Sequence, residues 1–279
     1  MLFRSATDLS PESWREAIAH PLFTPLAPWL AQLPAARADR ETFNRFAAQT
    51  PQYTGGGKPL QFVAPEKEDG VGYEARIFTQ GQVPTRENNL HDLFNALTWL
   101  ACPRSKAALN ARHVQRMTNE GKQRGRFGDL LTLLDEGGIL IASTDPQLET
   151  LLRQQQWHAL FIEQRARVQS HWRVWVLGHA TFESGLRPYP GITCKCLVLP
   201  MDQATLGAEP ARFGQAIDQA AAQWISAVPE TAVPGSLAPL PIFGLPGWYA
   251  GNDHPDFYAQ TRWFRTKRTP LEPLPQVCV

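Results

Sequence analysis

The sequence lacks an excess of charge of either sign. Lys and Arg number 27 against 26 Asp and Glu, a net charge of +1 over 279 residues. That balance leaves no chain-wide field to draw in nucleic acid or acidic lipid, so nucleic-acid binding is disfavoured. Cysteine is sparse: Cys102, Cys194, Cys196 and Cys278 show neither zinc-ribbon nor CxxC redox spacing. Long apolar runs are missing, so no membrane partner is expected. The opening MLFRSATDLSPESWREAIAH has no apolar signal-peptide core. These absences lead us to expect a soluble, cytoplasmic protein with reduced thiols. No Gly-x-Ser-x-Gly elbow, Walker loop or dinucleotide fingerprint occurs, which argues against serine hydrolases, P-loop NTPases and Rossmann dehydrogenases.

What is present is globular in character. Hydrophobic residues make up 43% and charged residues 19%, and a chain of this length can bury a sizeable core without staples. Its 24 prolines are spread along the chain and punctuate many short elements. No internal repeat is visible. The expected fold is α+β, a mostly helical single domain over 1–279. It has one small β-sheet and a proline-rich, aromatic C-terminal extension. Residues 1–50 read as a helical N-terminal segment, 51–200 as the core with the main motifs, and 201–279 as a helix plus a docked tail.

Local signals set the elements. Ser10 and Pro11 open a helix, as do Asp145 and Pro146. A short helix is expected around Trp29, and another over Arg40–Gln49 with Phe43 and Phe46 on one side. Gly55–Gly57 can cradle phosphate in principle, but Pro59 and a strand-like LQFVA follow instead of a helix. Tyr73–Phe78 alternates like a strand. Leu90–Ala101 and Ser105–Asn119 read as two helices joined in a helical hairpin or a sharp corner, the second ending at Gly121. Arg116, Lys122, Arg124 and Arg126 form a basic, solvated stretch without aromatics. Asp129–Leu134 reads as helical or extended. Residues 135–138 read as a turn, Gly138–Ser143 as a strand and Trp157–Arg167 as helix. Val174–Leu186 suits strand or helix, with helix favoured from Gly178. Ile192–Leu199 reads as a strand, placing Cys194 and Cys196 on one face as small buried hydrophobes. Pro210–Ile225 is an alanine-rich helix, and Val228–Pro246 is expected to wrap the surface.

The candidate chemistry centres on the hairpin. His91 and Asn95 share one stripe of its first helix, and Lys106, Asn110 and His113 share a face of the second. If both stripes turn inward they meet in a polar seam. His91 or His113 would then be a base near neutral pH or a metal ligand, with Asp92 beside them. Asn95, Lys106 and Asn110 would orient substrate. Arg86, before the first helix, would hold an anionic group. His179 and Glu183, four apart on a helix, could share a divalent metal, and Asp135 is a further acidic candidate. The bland alternative is a satisfied core network of amides and imidazoles.

Four stretches also carry a resemblance. They are YEARIFTQGQVPTRENNLHDLFNALTWLACPRSKAALNARH, DLLTLLDEGG, LGHATFESGLRPYPGITCKCLVLP and PLPIFGLPGWYAGNDHPDFYAQTRWFR. With them the chain resembles the domain-of-unknown-function family 3025, found largely in proteobacteria. The resemblance implies one integrated unit and brings no reaction, cofactor or partner. It ties Arg86, His91, Asp92, Asn95, Lys106, Asn110, His113, Asp135, His179 and Glu183 to the family's motif blocks. The chain departs from the expected pattern at Leu90, where an aromatic would precede the His-Asp pair. The functional expectation is a hydrolytic enzyme with a His/Asn/Arg pocket, with a divalent metal as a possible cofactor. The alternative is a non-catalytic module that binds a small anionic ligand or a partner protein.

Overall fold

A computed structural model describes residues 10–33, 39–66, 70–120, 125–266 and 271. Cys278, the Gly121 helix stop, and Lys122 and Arg124 of the basic stretch lie outside the described residues. The fold is α+β and mostly helical.

The N-terminal segment forms as its caps dictate. In α1 (Pro11–Ile18) the Ser10 hydroxyl accepts from the Ser13 amide at 3.1 Å. A 3₁₀ turn (Pro21–Leu26) runs into α2 (Ala27–Leu30), and α3 (Arg40–Gln49) buries Phe43 and Phe46. Strand β1 (Gln61–Val63) leads to α4 (Tyr73–Gln80) and then to β2 (Gln82–Pro84), which pairs with β1 in parallel. Helix α4 corrects the expected strand over Tyr73–Phe78. Gly72 occupies its N-cap and Gly81 ends it in the left-handed conformation at φ 78°. Tyr73 and Ile77 thus share a face by helical rather than alternating spacing.

The two expected helices form, with α5 (Leu90–Ala101) followed by α6 (Pro103–Glu120). Next come α7 (Arg126–Gly137) and β3 (Gly138–Ser143). The expected turn at 135–138 is instead the last turn of α7, which settles Asp129–Leu134 as helix. Helix α8 (Pro146–Arg153) is capped by Asp145. A π-helical turn (Ala159–Glu163) precedes α9 (Arg165–His171), so the expected helix over Trp157–Arg167 is present but irregular. Residues 172–186 divide into β4 (Trp172–Val176) and α10 (His179–Gly185).

The C-terminal third holds β5 (Thr193–Pro200), α11 (Gln203–Leu206), α12 (Pro210–Ala227), β6 (Ala238–Pro241) and α13 (Pro255–Tyr258). Among the described residues there are two sheets where one was expected: the β1–β2 pair and a four-stranded sheet in the order β4-β3-β5-β6. The central β3 pairs parallel to β5 and antiparallel to β4. Strand β6 corrects the expectation that Val228–Pro246 wraps the surface. Its prolines are tolerated because β6 is the sheet's edge, pairing only with β5 among the described strands.

Helices cover both faces of this sheet. Ile139, Ile141, Cys194 and Cys196 point to one face, where Leu93, Phe94 and Leu97 of α5 and Phe182 of α10 pack. Leu140, Ala142, Leu197 and Leu199 point to the other, against Leu130, Leu131 and Leu134 of α7 and Phe213 and Ile217 of α12. Burying each such side chain contributes about 1.5–3 kcal/mol over leaving it exposed. Phe257, Tyr258 and Phe264 of the tail are buried in the first layer, so they offer no free aromatic surface.

Two glycines allow close approaches that fix the site. A Cβ on Gly56 would meet the Phe78 carbonyl oxygen at 1.9 Å, so the Gly55–Gly57 loop is pressed onto α4. The loop serves packing against α4. A Cβ on Gly178 would meet the Glu136 carbonyl oxygen at 2.5 Å, and the Gly178 amide donates to the Gly138 carbonyl at 2.8 Å. This contact carries the start of α10 onto the end of α7.

Candidate functional site: a polar seam between five helices

The seam begins with packing. Phe94 and Phe182 stack at 5.8 Å between α5 and α10, with Phe23 within 6.0 Å of both. On each helix a histidine lies three residues before that phenylalanine. Stacking the two rings therefore brings His91 and His179 together one turn away. Their Nε2 atoms are 3.1 Å apart and their ring centroids 4.5 Å apart. Glu183, four residues after His179, places Oε2 at 3.6 Å from His91 Nδ1. On the inner side, His179 Nδ1 lies 3.8 Å from Asp135 Oδ2, through the approach that Gly178 permits.

Asp135 leads deeper. One of its carboxylate oxygens accepts from Lys106 Nζ, and Lys106 also donates to Asn95 Oδ1 at 3.0 Å. The Lys106 ammonium lies over the Trp99 ring at 5.4 Å. Asn95 Nδ2 donates to the Tyr73 hydroxyl at 2.9 Å. Asn110 Nδ2 donates both to the Glu74 backbone carbonyl at 2.9 Å and to Glu74 Oε2 at 2.7 Å. Tyr73, Glu74, Trp99, Lys106, Asn110, His113 and Asp135 line a small cavity, with about 10 Å³ for the centre of a water molecule. That is enough for about one water.

Electrostatics differ along the seam. Glu183 beside it raises the His91 imidazole above its usual pKa, against the effect of burial. Burial pushes His179 down to about 4, with Asp135 opposing. Burial alone would raise the Asp135 carboxyl, but Lys106 outweighs it and holds the group below the usual carboxylate range. Glu74 is pushed up by burial to about 7. Tyr73 is raised by burial of its hydroxyl, although its ring is partly exposed. The two touching histidines are therefore pushed apart: Glu183 favours the protonated form of His91, and burial favours the neutral form of His179.

The structure brings together His91, Asn95, Lys106, Asn110, His113, Asp135, His179 and Glu183 from the expected set. Arg86 and Asp92 are engaged with each other instead. Arg86 Nε and an end nitrogen each donate to the Asp92 carboxylate at 2.9 Å, and the Arg86 amide donates at 2.7 Å. Burial would raise Asp92, but Arg86 holds it low. With the Asn89 cap, whose side chain accepts from the Asp92 amide at 3.0 Å, this pair staples the entry to α5. Tyr73, Glu74 and Trp99 are members that the sequence reading missed. Trp99 was legible as the residue four after Asn95. Tyr73 and Glu74 were hidden by reading α4 as a strand.

His179, Glu183 and Asp135 do not fit a resident metal. Glu183 turns to His91, and the ammonium of Lys106 already sits on Asp135. Among the described residues, no three His, Cys, Asp or Glu side chains are arranged to hold a metal ion. Likewise no described helix is long and apolar enough to cross a membrane.

A family model described as a protein of unknown function, DUF3025, matches residues 60–268. The match spans well over half of the chain, and the chain belongs to that family. Neither a curated protein nor a solved structure matches it.

Proposed function

We propose that this DUF3025 protein is an enzyme, a hydrolase, that works through the paired imidazoles of His91 and His179. One observation carries the reading: two histidines with Nε2 atoms 3.1 Å apart whose environments push their proton affinities in opposite directions. Such separation is how a site assigns proton donor and acceptor roles at one pH. His91, with 41% of its side chain exposed, is the more accessible imidazole and reaches substrate through Nδ1, on the Glu183 side, since Nε2 is engaged by His179. Neutral His91 takes a proton from the water that attacks the ester carbon or phosphorus, and the imidazolium so formed gives that proton to the departing alkoxide, leaving acid, alcohol and neutral His91. Glu183 keeps it basic. His179 is a positioning residue that accepts from His91, and the Asp135–Lys106 pair fixes its tautomer.

Among the described cysteines, Cys102, Cys194 and Cys196 are buried and unbridged, which supports a reducing, cytoplasmic setting. The near-neutral charge supports a small-molecule substrate over nucleic acid. The rival reading is a non-catalytic module for a small anionic ligand or a partner protein.

A panel of chromogenic carboxylic and phosphoric esters separates the two. The hydrolase reading expects turnover of at least one ester, reduced about 10²-fold or more in His91→Gln. Absence of turnover across the panel, or full activity in His91→Gln, overturns it and leaves the binding module.

A further inference from the structure

The way the two imidazoles meet has a second use. His91 Nδ1 faces Glu183 Oε2 at 3.6 Å, and His179 Nδ1 faces Asp135 Oδ2 at 3.8 Å. That leaves the two Nε2 atoms against each other at 3.1 Å. A neutral imidazole has one proton and one lone pair. If each carboxylate draws its ring's proton to Nδ1, two lone pairs abut, and the contact needs a shared positive centre between them. The rings do not meet head-on: they stand at 79° with centroids 4.5 Å apart, closer than two rings aligned through those nitrogens would be.

An imidazole that ligates a metal ion characteristically directs its other N–H at a carboxylate, which fixes the tautomer and strengthens the ligand. Both rings have that arrangement. Zinc lies about 2.0–2.1 Å from an imidazole nitrogen, so nitrogens 3.1 Å apart subtend about 100° at the ion, near the tetrahedral angle. The exposed side of His91 gives the ion a way in from solvent. Imidazole nitrogen suits zinc, copper and nickel, whereas calcium and magnesium select oxygen ligands. Two protein ligands leave the other positions to water, so the ion is exchangeable. That agrees with the lack of a three-residue metal cluster among the described residues.

We propose that His91 Nε2 and His179 Nε2 form a binding site for one exchangeable divalent transition-metal ion such as zinc, with Glu183 and Asp135 outside the coordination sphere holding the Nδ1 protons. The ion takes the place of the proton between the two nitrogens. Neutral His91 moves that proton from Nε2 to Nδ1, and imidazolium releases one proton to solvent. Nδ1 can then no longer accept a proton, so the ion switches off the base. This inhibition rests on the hydrolytic reading; the binding of the ion does not.

The test is a titration of the full chain with zinc chloride, read by ¹⁵N NMR of the imidazoles. The Nε2 signals of His91 and His179 should shift together and saturate at one ion, while both Nδ1 atoms stay protonated. His179→Gln should weaken the affinity at least tenfold. Glu183→Gln, which keeps both ligands, should weaken it about tenfold. The exposed pairs His158–Glu163 and His254–Asp256 are the surface competitors, and the double variant His158→Gln/His254→Gln should leave the shifts of His91 and His179 unchanged. Magnesium chloride should produce no shift.

Zinc that moves only one of the two imidazoles overturns the site, as does an affinity unchanged in His179→Gln. Magnesium acting as strongly as zinc also overturns it. Ester turnover should fall as the site fills and return with EDTA, and turnover that rises with zinc overturns the inhibition. The NMR titration reads binding without turnover, so a failed site and a failed hydrolase are told apart.

Discussion

Replacing Lys106 with methionine keeps the length of the side chain and removes its charge. The substitution strips Asp135 of its only close ammonium partner among the described residues. It also leaves Asn95 Oδ1 without the donor at 3.0 Å. Breaking a buried ion pair from one side costs about 3–5 kcal/mol, because the remaining charge is left uncompensated. The Asp135 side chain is 19% exposed, so water can recover part of that loss. We expect about 3 kcal/mol, close to two decades in the unfolding equilibrium. Urea unfolding at pH 7 measures it. Asp135→Asn in the Lys106→Met background should restore part of the stability, with a coupling energy of about 2 kcal/mol across the cycle. A cost below about 1 kcal/mol for Lys106→Met, with strictly additive effects in the double variant, would refute the buried pair.

Three further outcomes follow from the same geometry. Phe182→Ala should cost about 3–5 kcal/mol. In urea unfolding and NMR it should also separate the two histidines, letting His91 drift toward its ordinary titration. Gly56→Ala should lower stability by about 2 kcal/mol or more, since its Cβ would collide with the Phe78 carbonyl; a thermal melt unchanged from wild type would contradict the close packing. His179 binds its proton more weakly when folded than when unfolded, so its contribution is complete above about pH 6.5 and declines as pH falls toward about 4. His91 has the opposite sign: its stabilisation is present in acid and is lost as pH rises through its elevated folded value. Denaturation of His179→Gln and Glu183→Gln across pH 4 to 8 should show these opposite slopes.

The two helices α5 and α6 and their polar stripes were legible because twelve and eighteen residues give the helical period several turns in which to show itself. The eight residues of α4 did not. Tyr73, Ala75 and Ile77 fit an alternating pattern as well as they fit a helix. Only Gly72 and Gly81 at its ends carried the helical signal. Pro239 and Pro241 misdirected the reading of β6 because proline argues against a strand without saying where the sheet's edge lies. Arg86 looked available for a ligand, yet its partner was Asp92, six residues on. No spacing rule distinguishes an arginine that binds an anion from one that binds its own chain. The encounter of His91 with His179 spans 88 positions and depends on the Phe94–Phe182 stack and the Gly178 contact. Long-range packing of that kind leaves no periodic trace.

The most direct test is a ¹⁵N NMR titration of the imidazole nitrogens, run on the wild-type chain and on Glu183→Gln. His91 should titrate above the ordinary histidine value, and His179 should stay neutral, with its proton on Nδ1, down to about pH 4. Glu183→Gln should lower the His91 midpoint. Two independent titrations near pH 6.5, both indifferent to Glu183, would contradict the account.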